Sequence, residues 1–213
     1  KDYSGAIENY TKAIQNSPRA IDYFRRSQSY YYLELYEIAL NDLNQTIALD
    51  PLPSAYNFRG LIYKKLGLYQ EAIEDYTKAI ELEKEKSNHI KFFNRGVTYY
   101  TTVQYQKAID DFNKAIELSP DFTDAFYQRA FAYYELGLYE KSILEGMKVI
   151  QLDPNNNKDL HDSVYAYMGY SRYKLGQYQK AIDNFNKALE LDPSEWEDNL
   201  RGWINNAENA LSK

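Results

Sequence analysis

The chain has 213 residues, 44% of them apolar, with a net charge of −6 and an isoelectric point near 5.1. That acidity argues against a nucleic-acid partner, because phosphate backbones need a basic surface. There is no cysteine, which excludes disulfides and thiolate metal sites and fits a reducing, intracellular compartment without establishing one. No apolar run approaches the roughly 18 residues that a membrane-spanning helix needs. Tyrosine stands out, at 23 residues, and any account of function must place it.

An anchor of a small residue followed by Ile or Leu recurs along the chain: Ala6-Ile7, Ala39-Leu40, Ala72-Ile73, Ala108-Ile109, Ser142-Ile143 and Ala181-Ile182. The spacings are 33, 33, 36, 34 and 39 residues. A bulky residue follows each anchor by one helical turn (Tyr10, Leu43, Tyr76, Phe112, Phe185), with Gly146 the exception. One turn further comes a residue that is usually small: Ala13, Thr46, Ala79, Ala115, Val149 and Ala188. This spacing marks one face of a helix. All six prolines fall between predicted helices, as a helix array requires.

In chain order, residues 2–18 read as a second helix without its partner, with Ile7, Tyr10 and Ile14 on its open face. That orphan, and a start at Lys1, lead us to expect part of a longer chain. Full helix–turn–helix units follow at 20–52, 53–86, 89–122, 123–156 and 162–195. Glycine at Gly67, Gly137 and Gly176 can take the left-handed conformation that ends a first helix. Glu34 and Val103 hold the same place, so those helices either end differently or carry strain of roughly 1–2 kcal/mol. Insertions are expected at 83–89, where the second helix can run on a turn, and at 157–161; both read as longer connectors. Residues 196–212 read as a capping helix, with Trp196, Leu200, Trp203, Ala207 and Leu211 on one side and Asn205, Asn206, Glu208 and Asn209 on the other. In the unit at 123–156, Val149 is expected to refill part of the volume that Gly146 gives up.

The stretches AYNFRGLIYKKLGLYQEAIEDYTKAIEL at 55–82 and AFYQRAFAYYELGLYEKSI at 125–143 resemble the tetratricopeptide repeat. The resemblance covers nearly the whole chain. It implies an all-α fold, a right-handed superhelical solenoid of paired antiparallel helices with a C-terminal capping helix. It also implies a concave groove, lined by the first helix of each pair, that binds a protein or peptide.

Two residue sets carry the functional reading. Arg26, Arg59, Arg95 and Arg129 each stand sixteen residues before an acid: Asp42, Asp75, Asp111 and Glu145. In the fifth unit the two positions become Met168 and Asn184, so both charges vanish together. We therefore expect internal ion pairs, Arg26–Asp42, Arg59–Asp75, Arg95–Asp111 and Arg129–Glu145, in preference to a ladder for anionic ligands. Carried over from the family's groove offsets, the binding candidates are Phe24, Tyr31, Phe58, Phe93, Asn94 and Tyr100, then Tyr127, Gln128, Phe131, Tyr134, Tyr167 and Tyr170. One branch of the family grips a chaperone's terminal carboxylate with Lys, Arg and Asn. Asn94 matches that clamp, whereas Asn57, Leu61, Asp124 and Gln128 do not. Rings instead suit an extended apolar or aromatic-containing segment, oriented by Asn94 and Gln128.

Catalysis finds no support: His89 and His161 are expected in different connectors, about 70 residues apart, without a nucleophile at recognisable spacing, and no phosphate-binding glycine loop occurs. No cofactor and no metal is expected. The reading is a non-enzymatic binding scaffold. Its alternatives are a self-associating structural module and a regulatory or docking region of a larger protein.

Overall fold

The computed structural model describes residues 2–83, 88–156 and 160–212, and leaves aside the side chains of 194–197. The described residues form twelve helices and no strand. They fall into two compact units, 1–98 and 99–213. The first holds α1 (Tyr3–Asn16), α2 (Ala20–Tyr32), α3 (Tyr36–Leu49), α4 (Pro53–Lys65), α5 (Tyr69–Leu82) and most of α6 (His89–Thr101). The second holds α7 (Tyr105–Leu118), α8 (Thr123–Glu135), α9 (Tyr139–Leu152), α10 (His161–Lys174), α11 (Tyr178–Leu191) and α12 (Pro193–Leu211).

The second helix of each pair (α3, α5, α7, α9, α11) begins at a tyrosine and ends at a leucine after 14 residues. Its anchor face is sealed: Ala39, Leu43, Ala72, Tyr76, Ala108, Phe112, Ala181 and Phe185 have no exposed surface. Each large side chain buried this way contributes roughly 1.5–3 kcal/mol. The first helices make room for them. A Cβ added at Gly60 would lie 2.9 Å from the Tyr76 ring, and one added at Gly169 would lie 2.4 Å from the Phe185 ring. At Gly146 the bulk is on the other side. Met168 Cγ, on α10, stands 2.9 Å from where that Cβ would be, with Val164 Cγ1 at 3.2 Å. Val149 is buried, but the space over Gly146 is filled by the next helix.

The turns explain the two non-glycine positions. At the end of α2, Glu34 N–H donates to Tyr31 C=O at 3.0 Å and Leu35 N–H donates to Tyr30 C=O at 2.9 Å. At the end of α6, Val103 N–H reaches Tyr100 C=O and Gln104 N–H reaches Tyr99 C=O, both at 2.9 Å. This is the paired-bond helix ending that needs a left-handed residue. Glu34 takes φ 60° and Val103 takes φ 62°, beside 72–76° at Gly67, Gly137 and Gly176. The helices end alike, and the strain is carried.

Four expectations change. α5 stops at Leu82, in register with its counterparts, and Glu83 is extended; residues 84–87 and 157–159, where most of the expected insertions fall, lie outside the described residues, as does the side chain of Trp196. Pro53 and Pro193 open α4 and α12 instead of lying between helices, because a first-turn N–H has no partner to lose. His89 and His161 likewise begin α6 and α10. On α12, Leu200 and Ala207 are buried but Leu211 is 51% exposed. With 19 residues against the 14 of α11, on which it packs, α12 outruns its support in the last turn. In α1, Ile7, Tyr10 and Ile14 are half-buried, and the Tyr3 ring stacks on Tyr32 at 4.8 Å.

Candidate functional site

The arginines are half-buried hubs. Arg26 holds Asp42 through two parallel bonds, Nε to Oδ2 and Nη2 to Oδ1, both 2.7 Å, and Arg59 holds Asp75 in the same way at the same distances. Arg129 reaches Glu145, a longer acid, through one oxygen, at 3.1 and 2.7 Å. Each remaining Nη1 reaches back to the preceding second helix. Arg26 donates to Thr11 Oγ1, Arg59 to Asn44 Oδ1, Arg95 to Thr77 Oγ1 and Arg129 to Asn113 Oδ1, at 3.0, 2.7, 3.0 and 2.5 Å. Asp111 is buried on α7. Sequence reasoning missed this third partner, although a signal was present: the residue after each bulky core position is Thr or Asn, and it becomes Met147 just where the next arginine becomes Met168. At the vacated place Arg172 Nη1 donates to Asn184 Oδ1 at 2.8 Å.

Aromatic rings flank the guanidinium groups. Arg26 lies 5.6 Å from the Tyr23 ring and 5.9 Å from Tyr30, and Arg59 lies 5.5 Å from Tyr56 and 5.8 Å from Tyr63. Tyrosine therefore serves several places. Six begin helices, two hold the bulky position after the anchor, seven stand three before or four after the arginine position, and eight remain on the candidate binding face.

In the first unit that face is mixed. Phe58 meets Phe24 edge-on at 5.9 Å and Tyr31 at 5.2 Å, and Tyr31 leans on Tyr36 at 5.7 Å. Asn94 Nδ2 donates to Asn57 Oδ1 at 3.2 Å, and Phe93 is half-buried beside it on α6. A cavity of about 400 Å³ opens here, lined by Phe24 and Phe58 together with Gln28, Asn57, Asn88, Glu83 and Lys91. Lys91 is 4% exposed and paired with Glu83; burial lowers its pKa. Nothing in the repeat pattern pointed to this pair.

In the second unit the rings interlock. Tyr127 meets Phe131 at 4.4 Å, Phe131 meets Tyr167 at 4.1 Å, and Tyr134 meets Tyr167 at 5.3 Å and Tyr170 at 6.3 Å. Tyr170 continues to Trp203 of α12 at 5.3 Å. Tyr100 leans on Tyr105 at 5.4 Å, and Gln128 is half-buried on α8. Phe131 and Tyr170 are each only 9% exposed, so they form a floor, while Tyr127, Tyr134 and Tyr167 are half-buried and present surface. Burial is the main cause that raises the phenol pKa of Tyr100, Tyr134 and Tyr167, with Glu135 adding to it at all three; Tyr170 is pushed up to about 12, again mainly by burial. Among the described residues no group of His, Asp and Glu is placed to hold a metal ion, and no helix is long and apolar enough to cross a membrane.

Family models described as tetratricopeptide repeat match residues 53–86, 123–156 and 163–195, and one described as TPR repeat matches 104–137. Heat shock protein STI1 of Saccharomyces cerevisiae is 42% identical over 86 residues, which is 39% of this chain and 15% of that protein. Small glutamine-rich tetratricopeptide repeat-containing protein 2 of Mycosarcoma maydis is 36% identical over 85 residues, 39% of this chain and 24% of that protein. The matched stretches thus span under a quarter of these relatives' lengths. Among solved structures, YrrB, described as a TPR protein with an unusual peptide-binding site, superposes with a TM-score of 0.78 at 22% identity, covering 95% of this chain and 99% of that one. The pilus biogenesis factor PilW gives 0.77 at 18% identity, covering 92% and 89%. At such identities the likeness speaks to the fold alone, an all-α helical repeat solenoid.

Proposed function

This chain belongs to the tetratricopeptide repeat family, a family of protein-interaction scaffolds, and from that premise we propose that it binds an extended peptide segment across the rings of α8 and α10. The observation that supports this is the run of half-buried Tyr127, Tyr134 and Tyr167 over a floor of Phe131 and Tyr170. Tyrosine on a rigid helix offers large contact area at small entropic cost, and its hydroxyl can meet a peptide backbone. The segment is apolar or aromatic in part and lies extended, with Gln128 as a polar contact; in the first unit Phe24, Tyr31, Phe58, Phe93 and Asn94 form a second, more polar contact face. The test is selection from a displayed random-peptide library. Selected peptides should bind at least tenfold more weakly to the Tyr127→Ala/Tyr134→Ala variant, whose melting should remain cooperative. Equal binding to both proteins overturns the proposal. Phe131 is unsuited to this test, because its burial makes it part of the fold.

Self-association is the second reading. Leu144 and Met147 lie one turn apart on α9 and are 64% and 52% exposed. Sedimentation at increasing concentration tests it, and a constant monomer mass overturns it.

A further inference from the structure

We propose that the pocket bounded by Tyr134, Tyr167, Tyr170, Asn199 and Trp203 receives a cationic side chain, lysine or arginine, of the segment bound on this face. This rests on the function proposed above and names its anchor. The pocket holds about 280 Å³, below the roughly 300–1,000 Å³ of sites for drug-sized ligands, so it suits a single long side chain.

Its walls are a box, not a stack. Tyr134 and Tyr167 stand at 86° to one another, Tyr167 and Tyr170 at 89°, and Tyr170 and Trp203 at 69°. Ring faces carry the negative lobe of the quadrupole and ring edges the positive one, so a cation seated in this box lies over the faces. A ring face presented to the pocket attracts a cation and repels an anion. The polar wall agrees, because Asn199 Oδ1, which accepts from Tyr170 Oη at 3.5 Å, has a second lone pair to offer. Glu135 is the carboxylate that acts on Tyr134 and Tyr167 from α8. Among the described residues no basic side chain lines the pocket; Lys174 of α10 and Arg201 of α12 are exposed. The chain already uses the same chemistry internally, where the guanidinium groups of Arg26 and Arg59 sit 5.5–5.9 Å from tyrosine centroids on either side.

The test uses two small probes, n-butylammonium chloride for the end of a lysine side chain and n-pentanol as its uncharged counterpart, with sodium chloride as the ionic-strength control. The readout is the indole N–H resonance of Trp203. Butylammonium should shift it saturably, with a dissociation constant at least fivefold below that of pentanol. Tyr134→Leu keeps the apolar area but removes the ring face, and should weaken butylammonium at least fivefold while leaving pentanol within twofold. Glu135→Gln should weaken it two- to threefold. If pentanol binds as tightly as butylammonium, or if neither moves Trp203, the cation assignment falls. Library-selected peptides that still depend on Tyr127 and Tyr134 would then leave the groove itself standing, whereas peptides indifferent to those residues would remove the groove.

Discussion

The two units carry the same helix-pair scaffold and put different chemistry on it. On its candidate face the first unit has Asn57 bonded to Asn94 and a cavity where buried Lys91 pairs with half-buried Glu83, while the second has Phe131, Tyr134, Tyr167 and Tyr170 locked ring to ring. The anchor positions behind both faces are equally sealed. A repeat scaffold thus separates its duties: second helices and their anchors hold the stack together, and the outward offsets of the first helices are free to diverge.

The sharpest way to break this comparison is in the floor of the second unit. Phe131→Ala should cost about 3–5 kcal/mol in chemical denaturation, because it opens a cavity under Tyr127 and Tyr167. Phe58→Ala, at a half-buried ring of the first unit, should cost roughly half as much. Equal losses would mean that the two faces are equally structural.

Next comes the clamp that the units share. Arg59→Ala leaves Asp75 buried without its cation and should cost about 2–3 kcal/mol at neutral pH, less than the roughly 3–5 of a fully buried pair because Arg59 is 18% exposed. Burial already raises the Asp75 pKa, with Arg59 as the opposing influence, so its removal raises it further. A carboxyl whose folded pKa is raised favours the native state below its unfolded value and loses that contribution as pH rises through the folded one. The cost of Arg59→Ala should therefore shrink on acidification through the carboxylate range. A cost that is flat or grows toward acid refutes this account. Arg129→Ala should cost less, since Glu145 is held through one oxygen.

The smallest effect is a gain. Val103→Gly relieves a β-branched residue at φ 62° that is 67% exposed and has little packing to lose. Set against the entropy of the extra glycine, it should stabilise by about 1 kcal/mol, visible as a higher melting temperature. Destabilisation would show that Val103 is not strained.

Helix positions and anchor faces could be read from the sequence because periodicity and packing are local properties: Ala72, Tyr76 and Ala79 recur at one-turn spacing because one face must be buried. The sixteen-residue interval between arginine and acid was legible for the same reason, since it spans one helix pair. The third arginine contact left a trace, Thr or Asn after each bulky position, that is harder to connect to the arginine because Thr11, Asn44, Thr77 and Asn113 belong to the preceding pair. The candidate face was only partly legible. Offsets identify which side of a helix a ring leaves from, but not whether a neighbour covers it, as happens to Phe131 and Tyr170. Lys91 could not be found at all, because its partner Glu83 stands just past the end of α5, where the repeat spacing changes.

At the joint between α9 and α10 the arginine clamp seen at Arg26, Arg59 and Arg129 gives way to Met168 lying over Gly146, beside a single hydroxyl bond from Ser171 Oγ to Ser142 Oγ at 3.3 Å. A thioether chain fits by shape and has many rotamers, and one hydroxyl bond fixes less than a guanidinium with three bonds, so this seam has a looser key than the arginine joints. In a stack held only by nearest neighbours, such a seam is where cooperativity is weakest. Amide protons of α10, α11 and α12 should exchange as one block, ahead of those in α8 and α9, so that the protein loosens from its C-terminal end like a zipper with one smooth tooth.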